Sequence, residues 1–316
     1  MSEAVDTATI NIDGINIRYH CRRLGPGSKA RVLILPGFTE FIEKHAETAE
    51  YFAAMGLDSL VLDWPGQGLS TRLSPGYPEI VHADGFDLHL NALARIAGDA
   101  GFLDPSRPVF LFGHSMGGHL ALRFASMMKV KPCGVILSAP MIMPPVQPPW
   151  LIHAMARGIC FFPFLARSPV WFRQSKGRDN VFHPDNVLTR DPEGYALQVR
   201  WWKANPDLKT TGPSYGWVRT AYQSCINTTA NPSWMSALDV KVSAHVPLNE
   251  VVVSLKHSLD CLPKIAGVEM YEYKEAKHEL LLELPDVRQQ FWQRVDEFVA
   301  RRLAGTSQKK SKKKRR

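Results

Sequence analysis

The feature that most restricts the fold is a repeated alternation. Residues 32–35, 57–62, 109–112 and 134–137 form short, mainly apolar runs, and periodic segments at 43–55, 81–97 and 116–128 separate them. Such runs have the length of strands, and three of the four show no polar alternation, so both faces should be covered. Strand–helix–strand alternation predicts an α/β fold, a mostly parallel sheet with helices on both faces. A hairpin precedes it, since 9–12 and 15–19 alternate around Asp13-Gly14. The alternation stops at Met143, where Pro144, Pro145, Pro148 and Pro149 open a segment dense in aromatics. It returns at 240–253 and 268–273, ahead of a last helix with Val287, Phe291, Val295, Phe298 and Leu303 on one face. The expected organisation is a core of residues 1–143 and 236–304, a helical cap at 144–235, and a basic disordered tail at 305–316. Within the cap, Asp191-Pro192 should start a helix carrying Trp201 and Trp202.

Gly113-His114-Ser115-Met116-Gly117 carries the chemistry. The G-x-S-x-G pattern is short, but here it directly follows the apolar run 109–112 and opens a helical segment, the setting of a nucleophile elbow. The turn forces its serine into a strained conformation, and glycines two residues to either side remove the Cβ atoms that would clash. A serine hydroxyl is a weak nucleophile without a base, so a histidine should follow the last strand. His278 stands there, between 268–273 and the final helix. His114 lies within the elbow and is not expected to reach back to the serine, and His245 falls inside a predicted strand. The acid that orients the base should follow the penultimate strand, where Glu250 is the acid of the segment 247–253. Asp239 and Asp260 are alternatives, and Glu250 would otherwise be a surface residue starting a helix. Backbone amides of Phe38 and Met116 are the expected oxyanion donors.

At these residues the chain resembles the α/β-hydrolases, and more narrowly the lysophospholipase L2 and monoacylglycerol lipase group, which shares its profile with the serine aminopeptidases. The resemblance rests on LPGFTEFIEKH (35–45), DWPGQGLS (63–70), GHSMGG (113–118), LSAP (137–140), LTRDPEGY (188–195) and AKHELLLE (276–283). It implies an α/β-hydrolase fold and a serine–histidine–acid triad in which the elbow serine maps to Ser115 and the histidine to His278. Two positions depart from the group. Pro65 stands where D-x-R-G-x-G-x-S has arginine, and Glu250-Val251-Val252-Val253 places Glu where D-x-V-V has Asp. A shift of one would put Asn249 at the acid position and leave the triad without a carboxylate.

No metal or organic cofactor is called for by this chemistry. Trp150, Phe161, Phe162 and Phe164 follow the proline-rich hinge and are expected to line an acyl-chain pocket or touch a membrane surface. The expected activity is ester hydrolysis of lysophospholipids or monoacylglycerols. An aminopeptidase using Asp179, Asp185, Asp191 or Glu193 to bind an ammonium, a short-chain esterase, and a catalytically weak binding protein are the alternatives.

The formal charge of +8 is concentrated at one end: the last nine residues hold Lys309, Lys310, Lys312, Lys313, Lys314, Arg315 and Arg316 and no acid. The body is therefore close to neutral. The tail at 309–316 is expected to contact anionic membrane at most, and no specific nucleic-acid partner is expected. The five cysteines are widely spaced with no CxxC pair, and the N-terminus reads as neither signal nor span, so a cytoplasmic enzyme is expected, at most peripheral to the inner face of the membrane.

Overall fold

The computed structural model describes residues 6–170 and 180–314, without side chains for 306–314. Strands β1 (Ala8–Ile12) and β2 (Ile15–Arg22) form the expected hairpin, with Asp13 and Gly14 at φ of 51° and 83°. Then come β3 (Ala30–Leu35), α1 (Ala46–Ala54), β4 (Leu57–Leu62), β5 (Ile80–Val81), α2 (Asp87–Asp99), β6 (Val109–His114), α3 (Met116–Met127) and β7 (Gly134–Ser138). The cap contributes α4 (Pro149–Ile159), α5 (Pro163–Ala166), α6 (Pro192–Ala204), β8 (Gly212–Pro213), α7 (Tyr215–Asn227) and α8 (Pro232–Ser236). The core resumes with β9 (Val242–Pro247), α9 (Leu255–Cys261), β10 (Glu269–Tyr273) and α10 (Pro285–Lys314).

The main sheet runs β1-β2-β4-β3-β6-β7-β9-β10, antiparallel at β1/β2 and β2/β4 and parallel elsewhere. Every residue of β3, β4, β6 and β7 is buried. Because side chains alternate along a strand, Leu33 and Leu35 enter one apolar layer with α2 and α3, while Val32 and Ile34 enter the other with α1 and α10. This is why those runs carry no polar alternation. From β3 the chain moves outward to β4 and then returns to the other side of β3 as β6. Strand order therefore reverses between β3 and β6, and a crevice opens at their carboxyl ends, where open α/β sheets bind ligands.

Three expectations change. The helix read at 81–97 begins only at Asp87, because Ile80 and Val81 pair with Gly212 and Pro213 and stitch the cap to the core. The helix read from 43 opens with a 3₁₀ turn, Ile42–His45, before α1. The segment from 305, expected to be a disordered tail, continues the backbone of α10 to Lys314, and no proline interrupts its lysine-rich sequence. Asp191 caps α6 as expected, accepting from the Glu193 amide at 3.0 Å. Among the described residues no helix is long and apolar enough to cross a membrane.

Candidate active site

Ser115 follows β6 at the reversal point with φ 51° and ψ −119°, a region L-residues rarely occupy, at a cost of about 1–3 kcal/mol. Neighbouring contacts hold it there. The Ser115 amide donates to Ser138 O at 3.0 Å, and Ser115 O accepts from the Met141 amide at 2.9 Å. A Cβ on Gly117 would fall 1.9 Å from Leu35 O, and one on Gly113 2.4 Å from Gly117 O, so β3, β6 and α3 meet only through glycine.

His278 lies in the loop after β10 and Glu250 in the loop after β9, both buried, and His278 Nδ1 donates to Glu250 Oε2 at 2.6 Å. Glu250 Oε1 accepts from the amides of Val252 (2.7 Å) and Val253 (3.1 Å), which fixes the carboxylate's direction. The alternative acids are elsewhere. Asn249 is exposed, Asp239 is exposed, and Asp260 pairs with Lys256 on the surface. Ser115, His278 and Phe38 share a cavity of about 560 Å³. The amides of Phe38 and Met116 have no acceptor among the described residues. The Gly37 amide, by contrast, is taken by Glu40 Oε2, and the loop is further tied by Gln67 Nε2 to Gly37 O (3.0 Å) and Trp64 Nε1 to Pro36 O (2.8 Å).

Beneath these groups lies a cluster that spacing alone did not expose. His114, expected to be idle, packs its ring 5.0 Å from that of His278. Its Nε2 is 3.4 Å from Glu279 Oε2 and 3.9 Å from Glu40 Oε1. Lys44 Nζ lies 2.7 Å from both Glu40 Oε1 and Glu279 Oε1. Burial opposes ionisation of all four groups, yet the pairing prevails. Lys44 and the histidines beside Glu40 hold that carboxyl well below its usual range, Lys44 and His114 lower Glu279 to about 2, and the two carboxylates raise His114. Glu40, His114 and Glu279 are also spaced to ligate a metal ion, but the Lys44 ammonium already bridges the two carboxylates.

The second motif is organised by a residue from outside it. Asp63 accepts from Arg18 Nε at 2.6 Å and from the amides of Ile42 and Leu69, both at 2.8 Å. Burial pushes the Asp63 carboxyl above its usual range, against the pull of Arg18. Arg18, from β2, also chelates Glu43 at 2.7 and 2.8 Å. Pro65 thus leaves the motif with no guanidinium of its own, and the hairpin supplies one.

Trp150, Phe161, Phe162 and Phe164 line neither the cavity at Ser115 nor the apolar one beneath α4. They are 66%, 81%, 51% and 71% exposed. The inward stripe of α4 is Ile152, Ala156 and Ile159, which with Trp217 and Val218 of α7 lines an apolar cavity of about 260 Å³, the exposed Met155 standing at its rim. Helical periodicity turns Trp150 away from that stripe, and the three phenylalanines follow the helix end. Trp217, which lines this cavity, packs its ring 4.3 Å from that of Phe38 in the loop after β3, and Pro213 lines both cavities. Trp171, Phe172 and Asp179 lie outside the described residues.

A serine on such an elbow, at the reversal point of a mostly parallel sheet, marks an α/β-hydrolase. The model of the family described as Serine aminopeptidase, S33 matches residues 26–285, and the chain belongs to that family. Lysophospholipase L2 of Escherichia coli is 30% identical over 213 residues, 66% of this chain and 60% of the relative. The chain thus aligns with less than two thirds of that protein. A probable lysophospholipase L2 of Haemophilus influenzae is 24% identical over 90% of this chain and 89% of its own. In fold, the chain is similar to a soluble variant of monoglyceride lipase from Saccharomyces cerevisiae, with a TM-score of 0.75 at 19% identity over 95% and 96% of the two chains.

Proposed function

We propose that this chain is a serine hydrolase that cleaves the carboxylic ester of a single-chain lipid, a lysophospholipid or a monoacylglycerol. The observation that carries the reading is the 2.6 Å contact of His278 with Glu250 in the cavity that Ser115 lines. With Nδ1–H given to Glu250, Nε2 is left as the base. Ser115 Oγ attacks the ester carbonyl carbon as Nε2 takes its proton, and the oxyanion is received by the Phe38 and Met116 amides. Collapse breaks the ester bond, and the departing alcohol takes the proton from the imidazolium. Water, deprotonated by the same nitrogen, then attacks the acyl carbonyl, releasing fatty acid and restoring Ser115.

A lipid substrate is supported by two adjoining cavities that share Pro213. The one under α4 is apolar, and the one at Ser115 presents Gln198, Thr210 and Thr211 from the cap. The names of the relatives agree with it. The outward aromatics of α4 and α5 form an apolar face suited to collecting such a substrate from a lipid surface. An aminopeptidase is less well supported. Asp191 caps α6, Glu193 pairs with Arg200 in solvent, Asp185 is exposed, and the acids lining the cavity are held by Lys44.

A fluorophosphonate probe should label the wild type and spare Ser115→Ala. Fatty-acid release should be found with lysophosphatidylcholine or monoacylglycerol, and no turnover with an aminoacyl-anilide. Equal labelling of both proteins would remove Ser115 as nucleophile, and anilide turnover alone would remove the lipid.

A further inference from the structure

We propose that Lys44 is a positioning residue for catalysis, a cationic tie between the loop that carries the oxyanion donor and the loop that carries the base. The proposal rests on the Ser115–His278 reading above. Three separated stretches of chain meet in the cluster: 37–45 after β3 and Glu279 after β10 at the ammonium, and His114 at the end of β6 against the same two carboxylates. Each end of the tie bears directly on one half of the chemistry. Glu40 gives one oxygen to Lys44, and with the other accepts from the Gly37 amide and from His45 Nε2 at 2.8 Å. It thereby sets the peptide just before the Phe38 amide. Glu279 is the chain neighbour of His278, and its own amide donates to Leu188 O of the cap at 2.8 Å, so its position governs where the imidazole sits.

The side chains of Lys44, Glu40 and Glu279 are only 5%, 4% and 7% exposed. Desolvating three charges is costly, and apolar side chains of similar volume would hold a fold together equally well. What apolar side chains would not supply is registry between two catalytic loops, where a displacement of about 1 Å can cost roughly 100-fold in rate. The cluster also balances charge at the base. His278 faces Glu250, His114, Glu279 and, behind them, Glu40 and Lys44. Without the ammonium, two carboxylates remain beside His114, whose ring packs against that of His278, and the cluster beneath the base gains net negative charge.

Lys44→Met should therefore lower kcat by roughly 100-fold with little change in KM for a short soluble ester. It should also move the acid limb of the kcat/KM profile up by about one pH unit. Lys44→Arg should restore the limb and most of kcat. Lys44→Met with Glu279→Gln, which removes both charges of one arm, should return the limb toward the wild-type position while kcat stays low, because the tie is still absent. This double variant and the arginine variant carry the test if Lys44→Met alone does not fold. A folded Lys44→Met with wild-type kcat and limb would overturn the proposal, as would full recovery of kcat in the double variant. A KM rise confined to lysophospholipid and absent for monoacylglycerol would make Lys44 a head-group ligand instead. Undiminished turnover in Ser115→Ala would overturn the nucleophile assignment, and the role given to Lys44 with it.

Discussion

Both carboxylate oxygens of Glu250 are engaged, one by His278 and one by two backbone amides, so the side chain can neither rotate away nor be replaced by a neutral acceptor without loss. Glu250→Gln should fold normally by circular dichroism, yet lose roughly 10²–10⁴ in kcat, because an amide cannot stabilise the imidazolium and can present its NH₂ to the ring. At this scale the sequence was informative wherever chemistry follows order along the chain. Ser115, His278 and Glu250, the proposed triad, each stand after a strand, and the His278–Glu250 contact joins the two of them furthest from the elbow. The Lys44 cluster was not legible in this way, because its partners are far apart: Lys44 and Glu279 are 235 residues distant. The available signal was two acids and a lysine set in segments otherwise dominated by buried apolar residues, the second acid directly beside the candidate base. Arg18 was hidden for the same reason, since only the β2/β4 pairing brings it to Asp63.

Among the elements, α4 has two usable faces. Its inner stripe walls the apolar cavity, and Ala156, 3% exposed, is the smallest side chain on that wall. Ala156→Leu should fill part of the cavity and lower kcat/KM for long acyl chains roughly tenfold relative to short ones, measured across a series of monoacylglycerols. An unchanged chain-length profile would place the acyl chain elsewhere. Aromatic density announced this region in the sequence but could not say which way the rings face. That depends on where the helix stops, and α4 ends before the phenylalanines. The core strands were easier to read, because burial on both faces removes polar residues from the pattern. Val81 reads as the start of a helix because a two-residue strand is too short to show a period, and its partner lies more than 130 residues on, at Gly212–Pro213.

For the molecule as a whole, His89, His119 and His245 are fully enclosed, and burial, aided by a nearby arginine in each case, lowers them to about 3. All three are neutral in the fold but take a proton when the chain unfolds below pH 6.5. Their folded values are depressed, so the stability they contribute is present above about 6.5 and is lost as pH falls toward 3. Within that window each adds a slope of about 1.4 kcal/mol per pH unit. The midpoint of urea unfolding should therefore drop steeply between pH 6 and pH 4, three protons being taken up on unfolding. A flat profile there would show that these rings are accessible to protons in the native state.

The course of α10 has a further consequence. It starts beside the His278 loop and runs back along the sheet, so that Arg301 reaches Glu269 at the start of β10, and Arg302 donates to Cys133 O, just before β7. Its lysine-rich extension therefore leaves from the amino ends of the strands, while Trp150 and the three phenylalanines sit with the cap over the carboxyl ends. The exposed aromatics of the cap and the far end of α10 thus lie toward opposite ends of the sheet's strands.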